Sequence, residues 1–212
     1  MSVRLLRRGP LIQESCVQVQ LSFQASPYTE VFVALGGNSA LDGKSVHEAL
    51  NESISLLDSG EMTLRSRSRM YSTPCFPAGA GPDFVNAAAV FRTSLPPEAV
   101  LCRLHEVESV FGRERKVRWS ERTLDLDLLG YGDAVAPDEP TFRRWADLPL
   151  ERQTREAPDR LILPHPRMQD RAFVLVPMAE IAPDWRHPVF GLTVAEMAAA
   201  IPAEERAQIA PL

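Results

Sequence analysis

The chain has 212 residues, of which 45% are hydrophobic and 24% are charged, and its formal net charge is −5. This composition is typical of a globular protein, and the length suits one well-packed domain with extensions. The acidic balance argues against nucleic-acid binding, so we expect no nucleic-acid partner. No apolar run approaches the roughly 20 residues that cross a bilayer, which predicts that the chain has no membrane segment.

The cysteines indicate the compartment. Cys16, Cys75 and Cys102 lie far apart, without the spacing of metal ligands, and their number is odd. This pattern predicts neither a zinc site nor a framework of disulfides. We therefore expect a reducing, cytoplasmic location.

The N-terminal part of the chain lacks a clear pattern. Residues 1–29 show no clean periodicity and are predicted to be an N-terminal extension, whereas residues 30–212 are predicted to form a single domain. The apolar run Val31–Leu35 predicts the first strand of that domain, which ends at the turn Gly36-Gly37-Asn38.

The following segments alternate between strand and helix patterns. In order, they predict a helix capped by Asp42 and ending at Leu57, a strand over Met62–Met70, a Pro/Gly-rich loop over Thr73–Pro82, a strand over Asp83–Phe91 and a helix that opens at Pro96-Pro97 and ends at Gly112. The helices are indicated by apolar residues three or four positions apart, and the strands by alternation.

A short strand with two aspartates follows. Over Thr123–Leu129, leucines alternate with Asp125 and Asp127, so both carboxylates leave one face of the strand. Like charges held this close repel each other, which makes the pair a poor structural choice. Mg²⁺ is commonly held by one or two carboxylates together with substrate phosphates, so the pair predicts a metal site.

The segment just before this strand is rich in cations and contains a tryptophan. Its cationic residues are Arg113, Arg115, Lys116, Arg118 and Arg122. Because the arginine side chain presents a planar fork of donors that fits phosphate oxygens, the segment and the aspartates together suggest phosphoryl transfer. The alternative is a solvated basic loop whose residues form surface salt bridges with the aspartates.

The order of predicted elements is βαββαβ. This order indicates the α+β ferredoxin-like plait, in which two helices pack on one face of an antiparallel sheet. Residues 133–159, rich in proline and charge, are predicted to be a long irregular insertion, and a C-terminal helix is predicted from about Thr193. Trp145 and Trp185 are interpreted as packing residues.

Several motifs resemble one enzyme family. In chain order they are ALGGN after the first strand, YSTPC, PDFVNAA, the block that ends in RTLDLDLL, and LPHPRM with the FVL that follows it. Found in this order over Val31–Met197, they identify the chain as similar to the 6-hydroxymethyl-7,8-dihydropterin pyrophosphokinases of folate biosynthesis. That resemblance implies the ferredoxin-like plait and an ATP- and Mg²⁺-dependent diphosphotransferase, which moves the β,γ-diphosphate of ATP to the pterin's hydroxymethyl oxygen and leaves AMP.

The resemblance also implies roles for individual residues. Asp125 and Asp127 match the ligands of two Mg²⁺ ions, and Arg113 and Arg122 match catalytic phosphate contacts. Residues that match ATP contacts are Arg115, Lys116, Arg118, Trp119, Arg160, Ile162, His165 and Arg171. Residues that match pterin contacts are Gly37, Thr73, Cys75, Phe76, Phe84, Asn86, Trp119 and Phe173. Glu108 matches a supporting acid near the site.

The chain departs from the family pattern at several places. It has GGN for GSN, Phe84 where many members have Tyr, Trp119-Ser120-Glu121-Arg122 for W-G-P-R, and Pro166 where some members have Tyr. The metal and ring-stacking positions are kept, so we expect an active enzyme and, from the family, a monomer. Two alternatives remain open: a degenerate plait that binds a nucleotide or a partner protein without chemistry, and a metal-dependent nuclease or nucleotidyltransferase.

Overall fold

The computed structural model describes residues 28–40, 43–75, 81–112, 123–153 and 156–212. Its strands are β1 (Thr29–Gly37), β2 (Met62–Arg67), β3 (Tyr71–Thr73), β4 (Phe84–Thr93), β5 (Asp125–Tyr131) and β6 (Ala210–Pro211). Its helices are α1 (Val46–Leu57), α2 (Pro97–Val110), α3 (Glu139–Ala146), α4 (Leu150–Gln153), α5 (Ala172–Ile181), α6 (Val194–Ala200) and α7 (Ala203–Ala207). None of the helices in these ranges is long and apolar enough to cross a membrane.

The strands form one antiparallel sheet. Its order is β5-β1-β4-β3-β6, and β2 pairs with the other part of the long strand β4. The central strands β1 and β4 are therefore joined to each other and flanked by β5 on one side and by the short strands on the other. This is the predicted ferredoxin-like α+β fold, and the prediction is confirmed.

The first core lies between one face of the sheet and the helices α1 and α2. Alternate residues of β1, such as Val33 and Leu35, pack there with Phe91 of β4 and with Leu50 and Leu104 of the helices. Each of these side chains is at most 1% exposed. The period of two in the strands and the period of about 3.6 in the helices bring these apolar side chains together.

The opposite face is covered as well, which the sequence did not predict. Phe32, Ala88 and Val90, from the alternate positions of β1 and β4, form a second core with Leu175 of α5 and Met197 of α6. The sheet is thus buried on both faces along most of its length. The polar side chains of β5 and β4 lie at one end of this second face.

Strand β5 contains a bulge next to β1. Val33 pairs with Leu128 and Phe32 pairs with Gly130, so Leu129 is an extra residue. A bulge shifts which groups of the strand face its neighbour. As a result Leu129 joins the second core, and Gly130 faces the same side, where the ring of Trp185 would meet any Cβ at 2.9 Å.

Several sequence-based predictions of these elements need correction. The helix α1 begins at Val46 and is capped by Ser45, because Ser45 and Glu48 form a reciprocal capping box; Asp42 lies outside the described residues. The strand predicted over Met62–Met70 ends at Arg67. The insertion predicted to be irregular contains the helices α3 and α4, so that part of the prediction is wrong.

Helix α3 packs against the C-terminal part of the chain through a cluster of aromatic rings. Phe142, which is fully buried, lies with its ring centroid 5.3 Å from that of His187 and 5.5 Å from that of Phe190. His187 and Phe190 stack at 4.4 Å, and Trp185 meets His187 edge-on at 5.9 Å. These contacts give the insertion a fixed position on the domain.

Candidate active site

Two aspartates and a buried asparagine share one face of the sheet. Asp125 of β5 pairs with Gly36 of β1, and Gly36 pairs on its other side with Asn86 of β4. Because paired residues of antiparallel strands point to the same face, Asp125 and Asn86 flank this glycine, and Asp127 follows two residues along β5. Strands in a sheet are about 4.8 Å apart, so the backbones of Asp125 and Asn86 are separated by roughly 10 Å.

The amide of Asn86 is held by its neighbours. Asn86 is 6% exposed, and its Nδ2 donates a hydrogen bond of 2.5 Å to Oγ1 of Thr73. A Cβ built on Gly36 would lie 2.8 Å from Oδ1 of Asn86, closer than real Cβ atoms approach. The absence of a side chain at position 36 therefore leaves room for this amide.

A cation and a histidine lie beside Asp127. Arg171, which directly precedes α5, places Nη1 3.3 Å from Oδ2 of Asp127. Nε2 of His165 lies 4.0 Å from the same oxygen. The side chain of Asp127 is 36% exposed, so its carboxylate stays accessible to a ligand from solvent.

The environment of His165 keeps its ring neutral. Nδ1 accepts a hydrogen bond of 3.1 Å from the backbone N–H of Arg167, so the proton of the neutral ring lies on Nε2, the nitrogen nearest Asp127. Burial lowers the pKa of His165 to about 4, although the charge of Asp127 acts in the opposite direction. Its backbone N–H donates to the carbonyl of the bulged residue Leu129 at 2.8 Å.

Glu108 of α2 supports the aspartate strand. Glu108 is 1% exposed, and its Oε1 accepts a hydrogen bond of 2.8 Å from the backbone N–H of Leu126. Leu126 lies between Asp125 and Asp127, so this bond fixes the backbone that carries both carboxylates. It also satisfies a buried donor, which would otherwise cost about 1–3 kcal/mol.

The oxygen donors at this place suit a hard divalent cation. Asp125 and Asp127 are both partly exposed and lie on one face. Among the described residues, no group of three His, Cys, Asp or Glu side chains is arranged to hold a metal ion. Mg²⁺ is often held by one or two carboxylates, with phosphate oxygens and water completing its shell. The pair therefore fits Mg²⁺ bound together with a phosphate substrate.

Two aromatic rings on this face of the sheet are open to solvent. Phe84, half-buried, begins β4 two residues before Asn86 and pairs with Thr73. Phe173, in the first turn of α5, is 39% exposed, and its ring centroid lies 5.7 Å from the guanidinium carbon of Arg171. Accessible flat rings of this kind suit the stacking of a heteroaromatic ligand.

One protein-family model matches most of this chain. The model of 7,8-dihydro-6-hydroxymethylpterin-pyrophosphokinase (HPPK) matches residues 32–183, a range that contains Gly36, Asn86, both aspartates and Arg171. The chain belongs to the HPPK family. The family identified from the sequence motifs is thereby confirmed.

Individual relatives support the same family. Two that are named 2-amino-4-hydroxy-6-hydroxymethyldihydropteridine pyrophosphokinase come from Pseudomonas aeruginosa and Synechocystis. The first is 39% identical over 175 residues, which cover 82% of this chain and 93% of the relative. The second is 42% identical over 131 residues, which cover 62% of this chain and 54% of the relative. This chain thus spans about half the length of the Synechocystis protein.

Solved structures bear on the fold. The wild-type HPPK-DHPS protein of Plasmodium falciparum with pteroate matches with a TM-score of 0.57 at 13% sequence identity. The match covers 81% of this chain and 42% of the Plasmodium chain. At this low identity, the likeness shows that the two proteins share the HPPK fold.

Some of the residues predicted for the HPPK site are placed differently from the row of Asp125, Gly36 and Asn86. Gly37 pairs with Val85 and so belongs to the opposite face, which leaves its backbone as the group that could contact a ligand. The N–H of Cys75 already donates to Oδ1 of Asp83 at 3.3 Å. Arg160 is exposed and bonded to Asp159 at 3.2 Å, whereas Ile162 is buried; both line a cavity near α3.

Other predicted HPPK-site residues lie outside the described part of the chain. They are Phe76, Arg113, Arg115, Lys116, Arg118, Trp119 and Arg122.

Sequence reasoning did not predict one residue of the site, Gly36, or two of its contacts. It selected Gly37 rather than Gly36, because a repeated glycine gives no sign of which one faces the asparagine. It named Glu108 without its contact to Leu126, and it did not anticipate that Leu129 would anchor His165. All three depend on the register between strands or on packing between a helix and a strand, and neither is encoded in a local pattern.

Proposed function

We propose that this chain transfers the β,γ-diphosphate of ATP to the hydroxymethyl group of 6-hydroxymethyl-7,8-dihydropterin, yielding AMP and the dihydropterin diphosphate, a step of folate biosynthesis. Membership of the HPPK family and the names of the relatives support this activity. One structural observation supports it most: the row of Asp125, Gly36 and Asn86 brings a pair of carboxylates, whose oxygens would suit Mg²⁺, beside an amide that would suit a pterin edge.

In the proposed reaction the hydroxymethyl oxygen bonds to the β-phosphorus of ATP. The bond from that phosphorus to the oxygen shared with the α-phosphorus breaks, AMP leaves with this oxygen, and the hydroxyl proton is released. Two Mg²⁺ ions held by Asp125 and Asp127 would neutralise charge on the phosphates. The protein holds the hydroxyl and the phosphates in line and excludes water.

Arg171 and His165 would bind the phosphates. The guanidinium of Arg171 is 3.3 Å from Asp127, so it lies where phosphate oxygens shared with a metal would arrive. His165 is neutral at physiological pH because burial lowers its pKa to about 4, and its Nε2–H faces the same place as a hydrogen-bond donor. A neutral donor adds a contact without a further charge.

The pterin would bind along the row on β4. The amide of Asn86 can accept and donate at once, which suits the mixed polar edge of a pterin. Phe84 and Phe173 are proposed to stack on its two faces. The further contacts proposed for the pterin are those of Gly37, Thr73, Cys75, Phe76 and Trp119.

The basic segment before β5 would complete the ATP site. Arg113 and Arg122 are proposed as catalytic phosphate contacts, and Arg115, Lys116, Arg118 and Trp119 as a loop over the nucleotide. Closure of such a loop would exclude water and strengthen each ionic contact.

The remaining properties are proposed on sequence grounds. The odd, scattered cysteines support a cytoplasmic location, and the net charge of −5 supports the absence of a nucleic-acid partner. A monomer is proposed from the family resemblance. Residues 1–29 are proposed to be an extension of one domain formed by residues 30–212.

The test is AMP release from ATP and Mg²⁺, with and without 6-hydroxymethyl-7,8-dihydropterin. We expect AMP to form only when the pterin is present. Asp127→Ala should lower the rate at least about 100-fold, because the carboxylate that binds the metal is lost. Asp133→Ala, which removes an exposed carboxylate beyond the end of β5, is a matched control that should retain the wild-type rate.

Other products would contradict the proposal in different ways. ADP in place of AMP would mean attack at the γ-phosphorus. Binding of pterin and an ATP analogue without any turnover would favour a degenerate plait that has lost its chemistry. Pterin-independent cleavage of nucleic acid would favour a nuclease.

A further inference from the structure

A cavity of about 220 Å³ lies beside α3, in the segment predicted to be an insertion. One wall consists of Thr141, Arg144 and Trp145 of α3. Another consists of Arg160 and Ile162, which precede His165 in the chain. The insertion therefore faces two residues that are proposed to contact ATP.

The cavity is held open by packing that does not depend on a ligand. Phe142 of α3 is fully buried against His187 and Phe190. The segment that precedes α3 is joined to the other wall by two backbone hydrogen bonds of 3.0 Å between Ala136 and Leu163. A ligand would thus enter a cavity whose walls are already in position.

The chemistry of the lining suits a nucleoside better than a polyphosphate. Arg144 and Arg160 are balanced there by Asp138 and Asp159, so the cavity has no excess of positive charge. Trp145 adds a flat ring on which a base can stack. Within the described part of the chain, no residue hydrogen-bonds to the guanidinium of Arg144 or to the indole N–H of Trp145, and both remain available as donors.

The distance to the aspartates fits one nucleotide. Ile162 is three residues from His165, and three residues span at most about 11 Å. Nε2 of His165 lies 4.0 Å from Asp127. A nucleoside in the cavity would therefore have its phosphates within reach of Asp127.

We propose that α3 forms part of the nucleotide site, with Trp145 and Arg144 binding the base and ribose of ATP while its phosphates extend toward Asp127. This inference rests on the proposed function, which supplies ATP as a substrate. It assigns a role in substrate affinity to a segment that was predicted to be irregular and to a tryptophan interpreted as packing.

The experiment measures equilibrium binding of the ATP analogue with a methylene group between the α- and β-phosphorus, and the KM values for ATP and for the pterin. We expect Trp145→Leu to weaken binding of the analogue and to raise the KM for ATP about tenfold, because a stacked base is lost. The KM for the pterin should stay within twofold of wild type. Trp145→Phe should bind the analogue within about threefold of wild type, because it keeps a ring.

Arg143→Ala is the matched control on the same helix. Arg143 pairs with Glu139 at 2.7 Å and does not line the cavity, so this variant should bind the analogue as wild type does. Arg144→Ala should weaken binding of the analogue, and circular dichroism should show that each variant keeps the fold.

The outcomes separate this inference from the proposed function. If both Trp145→Leu and Arg144→Ala bind the analogue with wild-type affinity and keep the wild-type KM for ATP, the proposed role of α3 is wrong. AMP release by the same protein would still support the proposed reaction. A weakened affinity in these variants, in a protein that releases no AMP, would support the nucleotide site and overturn the proposed reaction. A wild-type protein that does not bind the analogue would overturn both.

Discussion

At the scale of single residues, Gly36 lies between the two parts of the proposed site. It pairs with Asp125, a proposed metal ligand, and with Asn86, a proposed pterin contact, and a Cβ at this position would lie only 2.8 Å from Oδ1 of Asn86. Its φ angle is not in the left-handed region, so close approach, and not backbone conformation, requires glycine here. The effect of a methyl group at this position can therefore be assigned to Asn86.

Gly36→Ala is expected to raise the KM for the pterin roughly tenfold, because the new Cβ would push aside the amide that is proposed to read the pterin edge. The KM for ATP should change much less, since Asn86 is proposed to contact the pterin and not ATP. Steady-state kinetics with each substrate varied in turn provide the check. Gly81→Ala is the control, because its Cβ would make an ordinary contact of 3.7 Å with Sγ of Cys75. Equal changes in both KM values would contradict a local effect on Asn86.

At the scale of elements, α3 depends on one buried side chain. Only eight residues long, the helix is capped by Asp138 and packs through Phe142 onto His187 and Phe190. So short a helix is not stable alone, and tertiary contacts must hold it in place.

Phe142→Ala should lower the free energy of unfolding by about 3–5 kcal/mol, because it leaves a cavity among aromatic rings. It should also raise the KM for ATP, since Trp145 and Arg144 lie on the same helix. Urea unfolding and the kinetics of each substrate measure the two effects. Arg143→Ala, which removes a surface ion pair, should cost less than about 1 kcal/mol. A loss of stability with an unchanged KM for ATP would separate the packing role of α3 from its proposed role in binding.

At the scale of the whole molecule, a buried histidine links stability to pH. His187 is fully buried, and its Nδ1 accepts hydrogen bonds of 3.2 Å from the N–H groups of Val189 and Phe190. Among the described residues, its Nε2 has no hydrogen-bond partner. Burial lowers the pKa of His187 to about 4, from an ordinary value near 6.5.

Between about pH 6.5 and 4, the ring of His187 therefore stays neutral in the folded state and is protonated in the unfolded state. Well above pH 6.5, both the folded and the unfolded state have a neutral ring, and His187 adds no pH dependence. As the pH falls from 6.5 to 4, the unfolded state gains the proton first, so stability should fall by up to about 3 kcal/mol. His187→Asn keeps an acceptor without a titrating group and should reduce this slope; His165, whose pKa is also about 4, should maintain part of it. Urea unfolding between pH 4 and 7 is the measurement, and an unchanged slope in the variant would contradict the assignment.

The sequence predicts the fold well where local patterns are strong. The alternation around Asp125 and Asp127 predicts their common face, and the order of elements predicts the plait. The sequence does not predict α3, because the segment is rich in proline and charge. Phe142 is the only buried residue of this helix, so no long apolar stripe marks it. It also cannot distinguish Gly36 from Gly37, because strand register is a property of two segments at once. The second core was missed for a similar reason, since the apolar run Phe173–Met178 gives no sign of which face it covers.

A redesigned sheet without the bulge at Leu129 would lose a hydrogen bond that holds His165. The N–H of Leu126 faces away from β1, so in a regularly alternating strand the carbonyl of Leu129 would face β1. The extra residue turns that carbonyl outward, where it accepts the N–H of His165. A designer who deleted Leu129 would obtain a more regular strand around intact aspartates. The same deletion would remove the carbonyl that accepts the N–H of His165, so a redesigned sheet should keep the bulge.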